Sequence, residues 1–232
     1  MKIGLVGIGR MGRVLAGLLA RQVDLCIFDR NRNHMKMIAE ELGVSTADTL
    51  EEITEADVVI LAVPDLEVVS CIKIFNGVHK PLSVINIATN ASQEMLNHIA
   101  ASHIQCICAK FVGHADEIAL GYLPLIIVNQ SPEELVAQTV EIFELVGQVI
   151  IGKADLVCTI NTIAAQKAVE AAVGIENLLK EKKIEDPAII KSAIGQVAAG
   201  IIRAYADGNM GPFAREIVQS VQNKSRNNNC TY

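Results

Sequence analysis

Residues 1–20, MKIGLVGIGRMGRVLAGLLA, decide how this chain is read. Gly7, Gly9 and Gly12 stand in a G-x-G-x-x-G spacing. The apolar run KIGLVG (2–7) precedes them and reads as a strand, and RMGRVLAGLLAR (10–21) follows with a helical period. A strand, a glycine turn and a helix, in that order, is the context in which this spacing cradles phosphate. Gly7 permits the tight turn, Gly9 removes the side chain that would block a pyrophosphate, and Gly12 lets the helix approach the strand. The helix start adds unpaired N–H groups and a partial positive charge. The stretch therefore predicts a dinucleotide site over Gly7, Ile8, Gly9, Arg10, Met11 and Gly12. A bare glycine turn without a ligand is the alternative.

Downstream, apolar runs and amphipathic stretches alternate. VDLCIFD (23–29), ADVVILAV (56–63), LSVINIA (82–88), HIQCICA (103–109), LPLIIVN (123–129) and QVIIG (148–152) read as strands. NHMKMIAEELG (33–43), LEVVSCIKIF (66–75), SQEMLNHIAA (92–101) and SPEELVAQTVEIFELVG (131–147) read as helices. In the last of these Ser131 is placed as N-cap, Pro132 at the first position and Glu134 in the capping-box place. Strands that are apolar throughout and joined by helices predict a parallel sheet covered on both faces, a doubly wound α/β domain. Ligands of such a domain sit at the carboxyl ends of the strands, near the switch point.

The second strand ends at Asp29, about 20 residues beyond the loop, where an acidic residue takes a ribose 2′-hydroxyl. Asp29 leans towards NAD, while Arg30 and Arg32 accommodate a 2′-phosphate and keep NADP open. Ala62, Val63 and Pro64 end the third strand candidate and are placed over the ribose and adenine. Thr89 and Asn90, after the strand 82–88, are placed beside the nicotinamide or the substrate, with a plain turn as the alternative. Asn86, inside the apolar strand, reads as a bond to a neighbouring loop.

After 152 no strand candidate follows. DLVCTINTIAAQKAVEAAVGIENLLKEKK (155–183) is one long helical pattern. DPAIIKSAIGQVAAGIIRAYADG (186–208) is a second, with Asp186 as N-cap and Pro187 first. NMGPFAREIVQSVQ (209–222) is a short third, and 223–232 reads as a disordered tail. The chain thus divides into 1–152, a dinucleotide-binding domain, and 153–222, a small all-helical domain. Between Ala188 and Ala206 only Lys191 and Arg203 are charged. A helix apolar nearly all round must be buried nearly all round, which predicts a homodimer through these helices. Burial against the chain's own first domain is the alternative.

Composition narrows the functional class. Hydrophobic residues make up 51% of the 232, ample for a core, and the formal net charge of -6 lacks the basic face that phosphate-held nucleic-acid partners require. Cys26, Cys71, Cys106, Cys108, Cys158 and Cys230 form no CxxC, and no His pair stands at zinc spacing, so no metal site is expected. The cysteines read as reduced thiols of a cytoplasmic protein. No secretory signal is visible, and IALGYLPLIIVNQ (118–130), interrupted by Pro124, is too short to span a bilayer.

The glycine loop, ILAVPD (60–65) and the helical second half together resemble the pyrroline-5-carboxylate reductase family and the wider 6-phosphogluconate-dehydrogenase-like NAD(P) reductases. The resemblance covers the whole length in architecture, and in motif the first ninety or so residues. It implies an N-terminal Rossmann domain and a C-terminal helical dimerisation domain. It also implies hydride transfer between C4 of a nicotinamide and a C=N or C=O carbon. Two departures stand out. CAKFVGHADEIALG (108–121) replaces the family's M-P-N-T-P segment, and LVCTINTIAAQKA (156–168) replaces its Gly-Ser-Gly-Pro helix opening, so proline synthesis is not implied. The related hydroxyacid dehydrogenases carry a catalytic Lys on the long helix after a Gly-rich opening. Lys167 is a Lys on the comparable helix, without that opening.

Hydride transfer also needs a proton supplied or removed. Lys110 is a candidate to hold a substrate carboxylate and His114 a candidate proton donor, both just after the strand 103–109. Asn161, with Thr159 or Thr162 beside it, and Lys167 are candidates on the first long helix. Asn161 and Lys167 do not share a helix face. A solvated loop for the first two, and a surface ion pair of Lys167 with Glu170 or Glu176, are the structural alternatives. The function expected is an NAD(P)-dependent oxidoreductase acting on a small imine or carbonyl, anionic in character. A sensor or scaffold that keeps the dinucleotide site without catalysis is the alternative.

Overall fold

The computed structural model describes residues 1–229. Among these, eight strands form one sheet: β1 (Lys2–Val6), β2 (Asp24–Phe28), β3 (Ser45–Thr46), β4 (Val58–Leu61), β5 (Leu82–Asn86), β6 (Ile104–Val112), β7 (Leu125–Asn129) and β8 (Gln148–Gly152). Their order across the sheet is β3-β2-β1-β4-β5-β6-β7-β8. The connecting helices are α1 (Arg10–Leu19), α2 (Arg32–Leu42), α3 (Leu50–Ile53), α4 (Asp65–Phe75), α5 (Gln93–Ile99), α6 (Ala115–Ala119) and α7 (Glu133–Glu144).

Alternation along each strand sends side chains to two cores. Ile3, Leu5, Leu25, Ile27, Ile85 and Ile107 pack with Leu15 and Leu19 of α1, Met35 and Ile38 of α2 and Phe143 of α7. Cys26, Phe28, Val59, Leu61, Val84 and Cys106 face Val68, Ile72 and Phe75 of α4 and Leu96 of α5. Each fully buried Leu, Ile or Phe adds roughly 1.5–3 kcal/mol over exposure. The sheet is therefore covered on both faces, as doubly wound domains require, and the chain order reverses between β1 and β4.

Sequence and structure differ in direction at one place. Residues 104–108 of β6 pair in parallel with β5, but 109–112 pair antiparallel with β7. The link between β6 and β7 holds only the five-residue α6, about 7 Å of helix. The whole link, residues 113–124, is at the short limit for a crossover to a parallel neighbour, and a reversal needs less chain. So β7 starts where β6 ends and runs the other way. An apolar run carries no sign of its direction, and the all-parallel expectation missed this pair. The short β3, α3 and α6 also escaped, being too brief to show a period.

Most helix-end signals hold. Gly43 closes α2 in the left-handed conformation, φ 68. The structure adds a cap at Ser92, which accepts the Met95 N–H at the start of α5. The placement of Ser131 does not hold: α7 starts at Glu133 with Pro132 as its N-cap and no side-chain capping bond. Ser131 Oγ and O instead receive Asn129 Nδ2.

After β8 the chain is helical: α8 (Leu156–Glu181), α9 (Pro187–Ser192), a π-helical segment (Ala193–Ala198), α10 (Ala199–Ala206) and α11 (Pro212–Asn229). Asp186 caps α9 through the N–H groups of Ala188 and Ile189. Two compact units divide at Ile163 and Ala164. This is eleven residues beyond the expected 152, because the first turns of α8 bond into the sheet domain. α11 is helical over 223–229, where the sequence predicts a disordered tail, and the rest of that tail, with Cys230, lies outside the described residues. In the second unit Val169, Leu178, Val197, Ile202 and Tyr205 are each more than half exposed. No described helix is long and apolar enough to cross a membrane.

Candidate functional site

The glycine loop lies between β1 and α1 at the carboxyl edge of the sheet. Gly7 has φ +93, and a Cβ there would stand 2.6 Å from Ala62 O. A Cβ on Gly12 would stand 1.9 Å from Gly7 O, so helix and loop touch backbone to backbone. A Cβ on Gly9 meets nothing within 4 Å. The three glycines thus divide their work: two close the turn, and the third leaves open space at the helix start. The first intrahelical bond is Arg13 N to Gly9 O, 2.9 Å, which leaves the N–H groups of Arg10, Met11 and Gly12 without helical acceptors. No acidic residue occupies this first turn. Arg10 is exposed and Met11 half-buried. Ile8 is buried, its N–H donates to Asp29 Oδ2 at 2.7 Å, and its carbonyl lies 3.2 Å from His34 Nε2. Its N–H therefore serves the loop, not a ligand.

A cavity of about 270 Å³ opens beside the loop, lined among others by Gly7, Gly9, Asp29, Arg30, Pro64 and Glu67. Asp29 Oδ1 also accepts the Asn31 N–H at 2.8 Å, which fixes the carboxylate at the end of β2. Arg30 is paired by both guanidinium nitrogens with both oxygens of Glu67. Arg32 stacks over Phe28 at 5.5 Å and donates to the carbonyls of Ala47 and Asp48. Cys71 borders the same cavity, and burial pushes its thiol up to about 11 against the opposing charge of Arg30. The open space at Gly9, the free helix start and the fixed carboxylate of Asp29 fit a dinucleotide's pyrophosphate and ribose.

A second cavity of about 290 Å³ shares Ala62, Val63 and Pro64 with the first. Met11, Asp65, Thr89, Asn90, Phe111 and Asn161 are among its other walls. Asp65 accepts both the N–H and the Nδ2 of Asn90, at 3.1 and 2.8 Å. Asn161 Nδ2 donates to Phe111 O at 2.9 Å. Asn86 bonds the loop that follows it, through Ala88 N and Ala91 O. No lysine, arginine or histidine is among the residues lining this cavity, so nothing in its walls answers the anionic substrate that the sequence predicts.

Of the four catalytic candidates, Asn161 alone is among the residues lining this cavity. Lys110 lies inside β6, which runs on to Val112, and not just after the strand as the sequence predicts; it is 1% exposed. Its Nζ lies 2.5 Å from Asp155 Oδ1 and 3.1 Å from Thr89 O. Alternation explains this, since Lys110 shares the face of Cys106 and Cys108, which the second core covers. Asp155 Oδ2 also accepts the Gln93 N–H, so one ion pair ties β6, α5 and the start of α8 together. His114 is exposed at the N-cap of α6, with its ring 3.8 Å from Asp116 Oδ2. Lys167 is exposed in the second unit and paired with Glu170 at 2.7 Å, as its own alternative has it. Asp65, Glu67 and Asp155 stand in no motif that marks their partners in the sequence. A lysine at the end of an apolar run is the one signal in the sequence that an acid such as Asp155 faces it.

The family model described as the NAD binding domain of 6-phosphogluconate dehydrogenase matches residues 2–154. No curated protein matches the sequence. Solved structures do resemble the fold. A pyrroline-5-carboxylate reductase from Coxiella burnetii is 16% identical with a TM-score of 0.69, over 94% of this chain and 84% of that one. The 1-pyrroline-5-carboxylate reductase of Streptococcus pyogenes is 18% identical with a TM-score of 0.69, over 95% and 85%. An imine reductase variant from Myxococcus stipitatus, in complex with NAD+, is 13% identical with a TM-score of 0.65, over 89% and 77%.

Proposed function

This chain belongs to the family of the NAD binding domain of 6-phosphogluconate dehydrogenase, and from that premise we propose an NAD(P)-dependent oxidoreductase acting on a small imine or carbonyl compound. The observation that carries this reading is the pair of cavities meeting at Ala62, Val63 and Pro64, one beside the glycine loop and one beyond it. A bound nicotinamide supplies or accepts a hydride. The residues of the chain bind and orient. The loop 7–12 faces the pyrophosphate, and Asp29 accepts from the ribose. Thr89, Asn90 and Asn161 hold the reacting groups in the second cavity. The reductases and imine reductases of like fold favour a C=N substrate. Lys110 acts as a positioning residue, through its hold on the Thr89 carbonyl.

We also propose that the active form is a homodimer through the C-terminal helices. Val197 and Ile202 are 65% and 56% exposed on a helix with almost no charge, and water is a poor neighbour for such a surface. Light scattering is expected to give twice the chain mass, and Ile202→Glu to shift it to monomer. A wild-type monomer at micromolar concentration would defeat the dimer.

The test of function is to titrate the protein with NADH and NADPH by fluorescence, then to screen small imines and carbonyls for loss of reduced-nicotinamide absorbance. Binding with turnover is the expected result. Binding without turnover, across both substrate classes, favours a sensor or scaffold. That second reading draws on the position of Asn161, the one catalytic candidate among the second cavity's walls. Binding of neither cofactor overturns both.

A further inference from the structure

The wall of the first cavity has a sign. Asp29 and Glu67 contribute carboxylates to it, and Arg30 contributes a cation. The Asp29 oxygens each take one backbone N–H, from Ile8 and Asn31, and each keeps room for another donor. A ribose hydroxyl is such a donor. A 2′-phosphate is not; it brings about -1.5 to -2 charges and only acceptors. Two arginines follow Asp29, and both are engaged elsewhere. Arg32 is turned over Phe28 to the carbonyls of residues 47 and 48. Arg30 is held fork to fork by Glu67, from the first turn of α4.

We infer that this cavity selects NAD(H) over NADP(H), and that Glu67 enforces the choice by holding Arg30 away from a 2′-phosphate. The inference rests on the dinucleotide reading and adds a specificity-determining residue outside the glycine loop. With Glu67 in place the wall carries a net negative charge. Without it Arg30 is a free cation beside the ribose end, and the fork that grips a carboxylate grips a phosphate equally well. Arg30 is largely exposed, so salt screens the effect and its size is moderate.

The test compares dissociation constants for NADH and NADPH at fixed ionic strength, read by fluorescence without any substrate. Wild type is expected to prefer NADH by roughly tenfold or more. Glu67→Gln keeps the shape and removes the charge, and is expected to narrow that ratio roughly tenfold, mainly by tighter NADPH binding. Arg30→Ala added to Glu67→Gln is expected to abolish the gain. A wild-type preference for NADPH, or a ratio that Glu67→Gln leaves unchanged, overturns the inference while leaving the dinucleotide site intact. Failure of wild type to bind either cofactor overturns both together.

Discussion

The first cavity is walled by residues between Val6 and Cys71, most of them in or next to the glycine loop and the ends of β2 and β4. The second gathers Met11, residues 62–65, 87–90, Phe111, Gly113 and Asn161. The first is therefore a local product of strand–turn–helix units, each of which carries its own signal in glycine, proline and a terminal acid. The second forms only where five separate segments meet. A motif of fixed spacing describes the first kind of site well and the second kind hardly at all. Its walls depend on register and on which face of β6 turns inward.

The sharpest way to break this contrast is at the glycines. Gly12→Ala puts a Cβ against a backbone carbonyl that cannot yield, and is expected to cost about 3 kcal/mol or more of stability. Gly9→Val enters open space, so its melting temperature should stay near wild type while NADH affinity falls roughly a hundredfold. Full NADH affinity in the Gly9 variant would remove the role given to the loop.

Next in size is the ion pair behind the second cavity. Lys110→Met leaves Asp155 half exposed and able to regain water, so the loss is the clamp and its bonds, about 2 kcal/mol by denaturant titration. NADH binding should change little. A variant of unchanged stability that loses only turnover would make Lys110 a catalytic group after all.

Asn161→Ala is expected to lower kcat roughly tenfold to a hundredfold on whichever substrate the screen returns, with NADH affinity nearly unchanged. Loss of NADH affinity instead would assign Asn161 to the first cavity's work.

The smallest effect concerns the thiols of the second core, Cys71 on α4 and Cys106 and Cys108 on β6. Burial raises Cys71 and Cys108 to about 11 and Cys106 to about 12, from an ordinary 9.0. These groups are neutral in the fold at pH values where the unfolded chain already ionises. Their stabilising share is thus fully present below about pH 9 and is lost progressively as pH rises from there through 11–12. Thermal melts between pH 8 and 10.5 should show this decline, and Cys71→Ala should flatten part of it. An increase of stability over that range would contradict the burial.

Much of the fold was legible because it rests on local physics. Apolar runs, the left-handed Gly43 and the cap at Asp186 need only their neighbours in the chain. The reversed direction of β7 was not legible, since an apolar strand carries no sign of its direction and the pairing with β6 is decided in the sheet. The site divides in the same manner. The sequence alone determined the glycine loop, the acid at the end of β2 and the proline turn after β4, because glycine conformations and strand ends are set within a few residues. Only the tertiary structure decided the fate of the charged side chains. Lys110 was drawn into a buried pair by Asp155, 45 residues on, Arg30 was taken by Glu67, and Asn161 was carried by the start of α8 to the second cavity. A charge finds its partner through space, and the sequence carries no measure of that distance.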